Sequence, residues 1–214
     1  MIGLLHDRPQ RGSKRIRDLS RVVKSFERLF AEHCRDVGHG RPTGEKALQS
    51  ALIREAYVND RRLASLNAAS TQTNESVELV FVTDEISLPV AHETTNKMVC
   101  DVLALRRDGG RSTPVLLELK DNRMLTRLVE QVEGYASLID THADLFATLY
   151  SALLGEEVHF DAPTEKWIVW PARKGSPAPD PHEDELSAKG IRVVTYAETG
   201  AGSYSFRVGR SAAR

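Results

Sequence analysis

The sequence predicts a mixed α/β or α+β domain in which helices pack on a sheet. Three observations carry this reading. Over 124–140, Leu125, Leu128, Val129, Val132, Ala136 and Ile139 recur as one stripe of an amphipathic helix. Two nearly continuous apolar runs, 97–105 and 114–120, are separated by turn chemistry, Arg-Arg-Asp-Gly-Gly-Arg-Ser-Thr. A further short apolar run, 166–170, follows the helical region and is stopped by Pro171.

Taken in order, the chain opens with a basic segment. Over 8–24, Arg8, Arg11, Lys14, Arg15, Arg17, Arg21 and Lys24 stand against Asp18 alone. From Ile16 onward, Leu19, Val22, Val23, Phe26, Leu29 and Phe30 keep helical spacing, and Gly38 and Gly40 end the pattern. Residues 1–40 are therefore expected to form a basic N-terminal helical extension, and 41–214 the main domain. Thr43 is placed to cap a second helix reaching to about residue 62, with Leu48, Ala51, Leu52 and Ala56 on its apolar side. The β-branched segment 77–83 is a strand candidate, followed by the two apolar runs as a strand pair. After the 124–140 helix comes another over 142–154. Residues 174–181 hold Pro177, Pro179, Pro181 and Gly175, which make a loop. Late strands are expected over 191–196 and 204–208.

Composition narrows the function classes. A chain of 214 residues with 41% hydrophobic and 28% charged residues buries an ordinary core. A net charge of -1 excludes a histone-like positive wrap, although a local basic patch still suffices to bind nucleic acid. With 6% aromatics, an aromatic-lined sugar cleft is disfavoured. Cys34 and Cys100 lie too far apart in sequence for a zinc knuckle, a four-thiolate cluster or a secreted disulfide framework. The apolar run over residues 1–5 is too short for a signal-peptide core, and no stretch approaches the ~20 residues of a membrane span. A soluble, cytoplasmic protein without membrane partners is expected.

The chemistry concentrates in the strand pair. If Gly109-Gly110 is a two-residue turn, Asp108 faces Arg111, and counting back along both strands sets Asp101 opposite Glu118. Directly opposed β-carbons lie ~4.5–5.5 Å apart, and two acids at that spacing destabilise the pair unless something positive sits between them. Such a pair makes a seat for a hard divalent cation. Lys120, two residues on, points to the same face as Glu118, while Leu117 and Leu119 point into the core. A half-exposed hairpin also carries Asp, Glu and Lys on a solvent face, but the apolar runs here indicate burial on both faces.

Asp101, a hairpin, Glu118-Leu119-Lys120, and then a helix with Gln131 and Tyr135 four apart resemble the PD-(D/E)xK nuclease superfamily, and its RecB-like branch in particular. Gly44-Glu45, opening a helix before the strands, resembles the first-helix Glu of several branches. The likeness covers about 43–140; Cys100 stands before Asp101 where the family pattern has Pro, and the iron–sulfur cysteine set is missing.

The resemblance implies a restriction-endonuclease-like mixed central sheet flanked by helices, and Mg²⁺- or Mn²⁺-dependent hydrolysis of phosphodiester bonds in nucleic acid, DNA in the first place. It implies that Asp101, Glu118 and the Leu119 backbone carbonyl hold the metal, and that Lys120 orients the attacking water. Glu45 would complete the outer shell or hold a second metal, with Glu55 as its substitute. Arg123, Arg127, Gln131 and Tyr135 are spaced by four, and their expected role is a ridge beside the metal. Arg123, Arg127, Arg15 and Arg17 are the candidate nucleic-acid contacts. Many such folds act as dimers, so a homodimer is among the expected partners. The plain alternatives are a helix-dipole role for Glu45, a solvated helix flank for the ridge, a loop role for His92, and core packing for Trp167 and Trp170. Two rival functions remain: a nuclease-like module that binds nucleic acid or protein without cutting, and a retaining glycosidase using the carboxylate pair.

Overall fold

The structure, a computed structural model, describes residues 43–71, 78–89, 97–125, 127–173, 181–200 and 202–209. The expected N-terminal extension with Arg15 and Arg17, His92 and residues 174–180 of the expected loop lie outside the described residues. What is described is a mixed α/β unit: a six-stranded mixed sheet with helices on both faces.

Helix α1 (Gly44–Val58) and helix α2 (Ala64–Thr71) precede an antiparallel meander of β1 (Glu78–Pro89), β2 (Lys97–Asp108) and β3 (Arg111–Leu119). Helices α3 (Leu128–Thr141) and α4 (Ala143–Leu154) then carry the chain to β4 (Glu165–Pro171), which lies parallel to β3. Helix α5 (Pro181–Ala188) leads to β5 (Ile191–Gly200), parallel to β4, and β6 (Ser203–Val208) closes the edge antiparallel to β5. Parallel neighbours need a crossover, and α3–α4 and α5 supply the two. The strands lie side by side in chain order.

Alternation along the strands makes two cores. Val102, Ala104, Val115, Leu117, Leu119, Trp167 and Val169 pack against Leu48, Leu52 and Ala56 of α1 and Leu63 and Leu66 beside and in α2. Leu103, Leu105, Leu116, Ile168 and Trp170 turn the other way, onto Val132 and Ile139 of α3, Phe146 and Tyr150 of α4 and Leu186 of α5. Both faces of β3 are thus covered, which explains its nearly continuous apolar run. Trp167 and Trp170 are core residues of opposite faces, both fully buried.

Several boundaries differ from the sequence reading, each for a local reason. Thr43 occupies the N-cap position of α1 with an extended backbone, but its side chain makes no capping hydrogen bond. The helix stops at Val58 and not near residue 62, because Asp60 and Arg61 take positive φ (52° and 65°), which no right-handed helix accommodates. Helix α3 starts at Leu128 and not at 124, since Arg127 at its N-cap is left-handed. Helices α2 and α5, eight residues each, were not foreseen. The strand expected at 77–83 runs as far as Pro89. Among the described residues no helix is long and apolar enough to cross a membrane.

Candidate active site

Gly109 and Gly110 both take positive φ (55° and 88°), as a two-residue hairpin turn with matching twist requires. The register that follows pairs Asp108 with Arg111 and continues in step to Val102 opposite Leu117. Asp101 and Glu118 are the next residues along, where the ladder stops. Here the Asp101 carboxylate takes over from the backbone: its Oδ2 accepts the Leu119 N–H at 2.8 Å. The Asp101 carbonyl accepts from the amide of Gln49, a buried residue of α1, at 3.2 Å. On the other side the Lys120 N–H donates to the Val169 carbonyl of β4 at 2.8 Å. The strand end is therefore pinned from three directions.

At this end the charged side chains meet. Lys120 Nζ donates to Glu118 Oε1 at 2.8 Å and to the Leu119 carbonyl at 2.9 Å. The same ammonium lies 3.9 Å from Asp101 Oδ2 and 3.7 Å from Glu45 Oε2. Three carboxylates thus surround one cation. Gln131 of α3 donates its amide N–H to Glu118 Oε1 at 2.9 Å and to the Val99 carbonyl at 3.4 Å. Glu118 is 1% exposed, and its second oxygen, Oε2, is buried with no hydrogen-bond partner. A buried carboxylate oxygen left unpaired is costly, so it marks a place where a cation or water belongs.

Electrostatics follow from burial and crowding. Burial, then the Asp101 charge, push the Glu118 carboxyl up to about 7, against the smaller pull of Lys120. Burial also raises Asp101, opposed by the Leu119 N–H and Lys120. For Lys120, burial works against the charged form, but Glu118, Asp101 and Glu45 together outweigh it and hold the ammonium above its usual range.

Glu45, and not Glu55, reaches this cluster. Its Oε1 also accepts the Asp121 N–H at 3.4 Å. Glu55 instead accepts from the backbone N–H and hydroxyl of Ser65 at 2.5 and 2.6 Å, which caps α2. Gly44 takes φ 58°, and a β-carbon there would stand 2.7 Å from Asp121 Oδ2. The positive φ favours glycine at this turn into α1, and the close neighbour is the exposed Asp121 side chain.

The expected ridge on α3 does not form as a unit. Gln131 points into the site, whereas Tyr135 is buried in the core and its hydroxyl donates to the Ile86 carbonyl at 3.3 Å. Burial pushes that phenol well above its ordinary range, so it holds its proton. Arg123 lies before the helix, its guanidinium 4.9 Å from the centre of the Trp170 ring. Arg127 is exposed at the N-cap, where its carbonyl accepts the Gln131 N–H at 2.9 Å. Three neighbours of the site were not foreseen. Gln49 was detectable as a polar residue on the apolar side of α1, four after Glu45. Lys46 pairs with Glu85, whose φ is positive. Tyr196, at the end of β5, donates its hydroxyl to the Lys120 carbonyl at 3.3 Å, and no local pattern announces it.

The donor set is all oxygen: carboxylates of Asp101, Glu118 and Glu45 and the Leu119 carbonyl. That suits a hard divalent cation, and the orphaned Oε2 of Glu118 fits the same use. Among the described residues no group of three or more His, Cys, Asp or Glu side chains is already gathered as a metal shell. The Lys120 ammonium stands among these acids and supplies the positive charge they need. No protein-family model, curated protein or solved structure matches this chain.

Proposed function

We propose that the protein is a metal-dependent nuclease of the PD-(D/E)xK type, with a restriction-endonuclease-like fold, acting on phosphodiester bonds of DNA. The observation that carries this reading is the meeting of Asp101, Glu118 and Glu45 around Lys120, with one buried Glu118 oxygen unsatisfied. A mixed sheet covered by helices on both faces is consistent with that fold.

In this reading Asp101, Glu118 and the Leu119 carbonyl hold Mg²⁺ or Mn²⁺. When bound, the metal neutralises phosphate charge and lowers the pKa of a water. Gln131 and Lys120 both bind Glu118 Oε1, which fixes the carboxylate plane and leaves Oε2 for the cation. Lys120 keeps its proton at neutral pH. It therefore acts by positioning water and stabilising negative charge as it develops, and not as a base. Glu45 steadies Lys120 from the α1 side.

One observation favours a second reading, a nuclease-like module that binds without cutting: the Lys120 ammonium already lies among the acids, and among the described residues no metal-binding group of side chains is gathered. Cleavage of linear, circular and single-stranded DNA, titrated with Mg²⁺ and with Mn²⁺, separates the two. The nuclease reading expects metal-dependent cutting that Asp101→Asn abolishes. Binding without cutting at any metal concentration favours the module.

A further inference from the structure

Beside the carboxylate cluster lies a second, oppositely charged feature. A cleft of roughly 280 Å³ opens between the chain following β3, the end of β4, and the hairpin of β5 and β6. Its described lining brings together Arg123, Arg173 and Arg207, from three separate segments of the chain, and the carboxylate of Glu183. The chain as a whole carries a net charge of -1, so three guanidiniums around one concavity depart from the average surface. Arginine's planar fork matches the oxygens of a phosphate, which a lysine's point charge does not. Arg123 is held in place by its stacking on Trp170, so part of the cleft is preorganised.

The cleft shares a wall with the candidate active site. Tyr196 lines it and donates its hydroxyl to the carbonyl of Lys120. The Tyr196 carbonyl in turn accepts the Ala172 N–H at 2.7 Å, which fixes the chain leading to Arg173. Tyr196 thus links the lining of the cleft to the backbone of Lys120 in the candidate active site.

We infer that Arg123, Arg173 and Arg207 form a phosphate-binding subsite that grips the nucleic-acid backbone next to the scissile phosphodiester. This deepens the nuclease reading and rests on it. The subsite reads charge and not sequence, because its donors face phosphate oxygens and not base edges.

The test uses the full chain and a labelled oligonucleotide, single-stranded and duplex, in chelator so that nothing is cut. Anisotropy is followed against salt for wild type, Arg207→Ala, Arg173→Ala and the double variant, with circular dichroism to show that each is folded. Arg207 and Arg173 are exposed, so their loss spares the core. Each substitution is expected to reduce the log–log salt slope by about 0.7 on single strands or about 0.9 on duplex. The double variant is expected to bind roughly tenfold or more weakly, the effect of losing a charge-assisted hydrogen bond. Wild-type slope and affinity in the folded double variant overturn the subsite. Inorganic phosphate binding that needs these arginines, without arginine-dependent oligonucleotide binding, also overturns it in favour of a free-phosphate site. The same preparations are then given Mg²⁺ or Mn²⁺. Cutting by wild type with unaltered binding in the variants refutes the cleft alone. Arginine-dependent binding with no cutting refutes the nuclease reading alone.

Discussion

Glu118 Oε1 accepts hydrogen bonds from both Lys120 and Gln131, while its Oε2 is buried with no partner. This asymmetry has a pH signature. The Glu118 carboxyl is raised to about 7 from an ordinary 4.5, chiefly by burial. A folded-state pKa above the unfolded one means that the folded protein binds the proton more tightly. The resulting stability is present in full below about pH 4.5 and is lost as pH rises through about 7. In chelator, the wild type is therefore expected to lose on the order of 3 kcal/mol between those limits from this group. Glu118→Gln should flatten that part of the profile and melt above wild type at neutral pH. Thermal melts across the pH range check both; an unchanged slope in the variant would show that Glu118 is not the group responsible. Lys120→Ala separates chemistry from binding. A cation is not a ligand for a cation, so Mg²⁺ binding should survive, while cleavage falls by ~10²–10³. Calorimetric Mg²⁺ titration beside a cleavage assay reads the two, and full activity would remove Lys120 from the mechanism. Asp101, Glu118 and Lys120 were legible because strand alternation and a two-residue turn determine which side chains share a face. Tyr196 was not, since it meets the site only through the packing of β5, and Gln49 showed only as a polar residue on the apolar side of α1.

At the scale of elements, the register of the β2–β3 hairpin could be read from two glycines and two apolar runs, although the strands take in 106–108 and 111–113, where turn residues were expected. The start of α3 could not. A stripe of apolar residues begins at Leu125, but the left-handed Arg127 delays the helix to Leu128. A ridge spaced by four needs an unbroken helix, so Arg123 separates from Gln131, whereas Tyr135 lies on the same helix as Gln131 and is buried. Helices α2 and α5 escaped notice because eight residues span barely two turns and show little periodicity. The start of α1 carries a sharper expectation. Gly44 combines positive φ with the contact to Asp121, so Gly44→Ala meets both backbone strain and a clash. A loss of ~1–3 kcal/mol in stability is expected, together with reduced cleavage, because Glu45 is displaced from Lys120. Denaturant unfolding and the cleavage assay measure this. A variant as stable and active as wild type would mean that α1 does not position the site.

Across the whole molecule, the sheet sets the acids of β2 and β3 near one end and the arginine cleft of β4–β6 beside them. That juxtaposition was not readable from the sequence. Arg173 and Arg207 are apart in the chain and meet only because β5 lies next to β4 and β6 next to β5. The two-core arrangement, in contrast, was foreshadowed by the nearly continuous apolar run of β3. The central claim is that Asp101 and Glu118 form a metal seat used for cutting. The most direct measurement is the melting temperature of wild type, Asp101→Asn and Glu118→Gln in chelator and in saturating Mg²⁺, with DNA cleavage followed on the same samples. A ligand that binds only the folded state stabilises it by RT ln(1 + [L]/Kd), ~2.7 kcal/mol at a hundredfold excess over Kd. Mg²⁺ is expected to raise the melting temperature of wild type, to raise that of either variant much less, and to support cleavage by wild type alone. Equal Mg²⁺ stabilisation of all three proteins, or cleavage by both variants, would contradict the central claim.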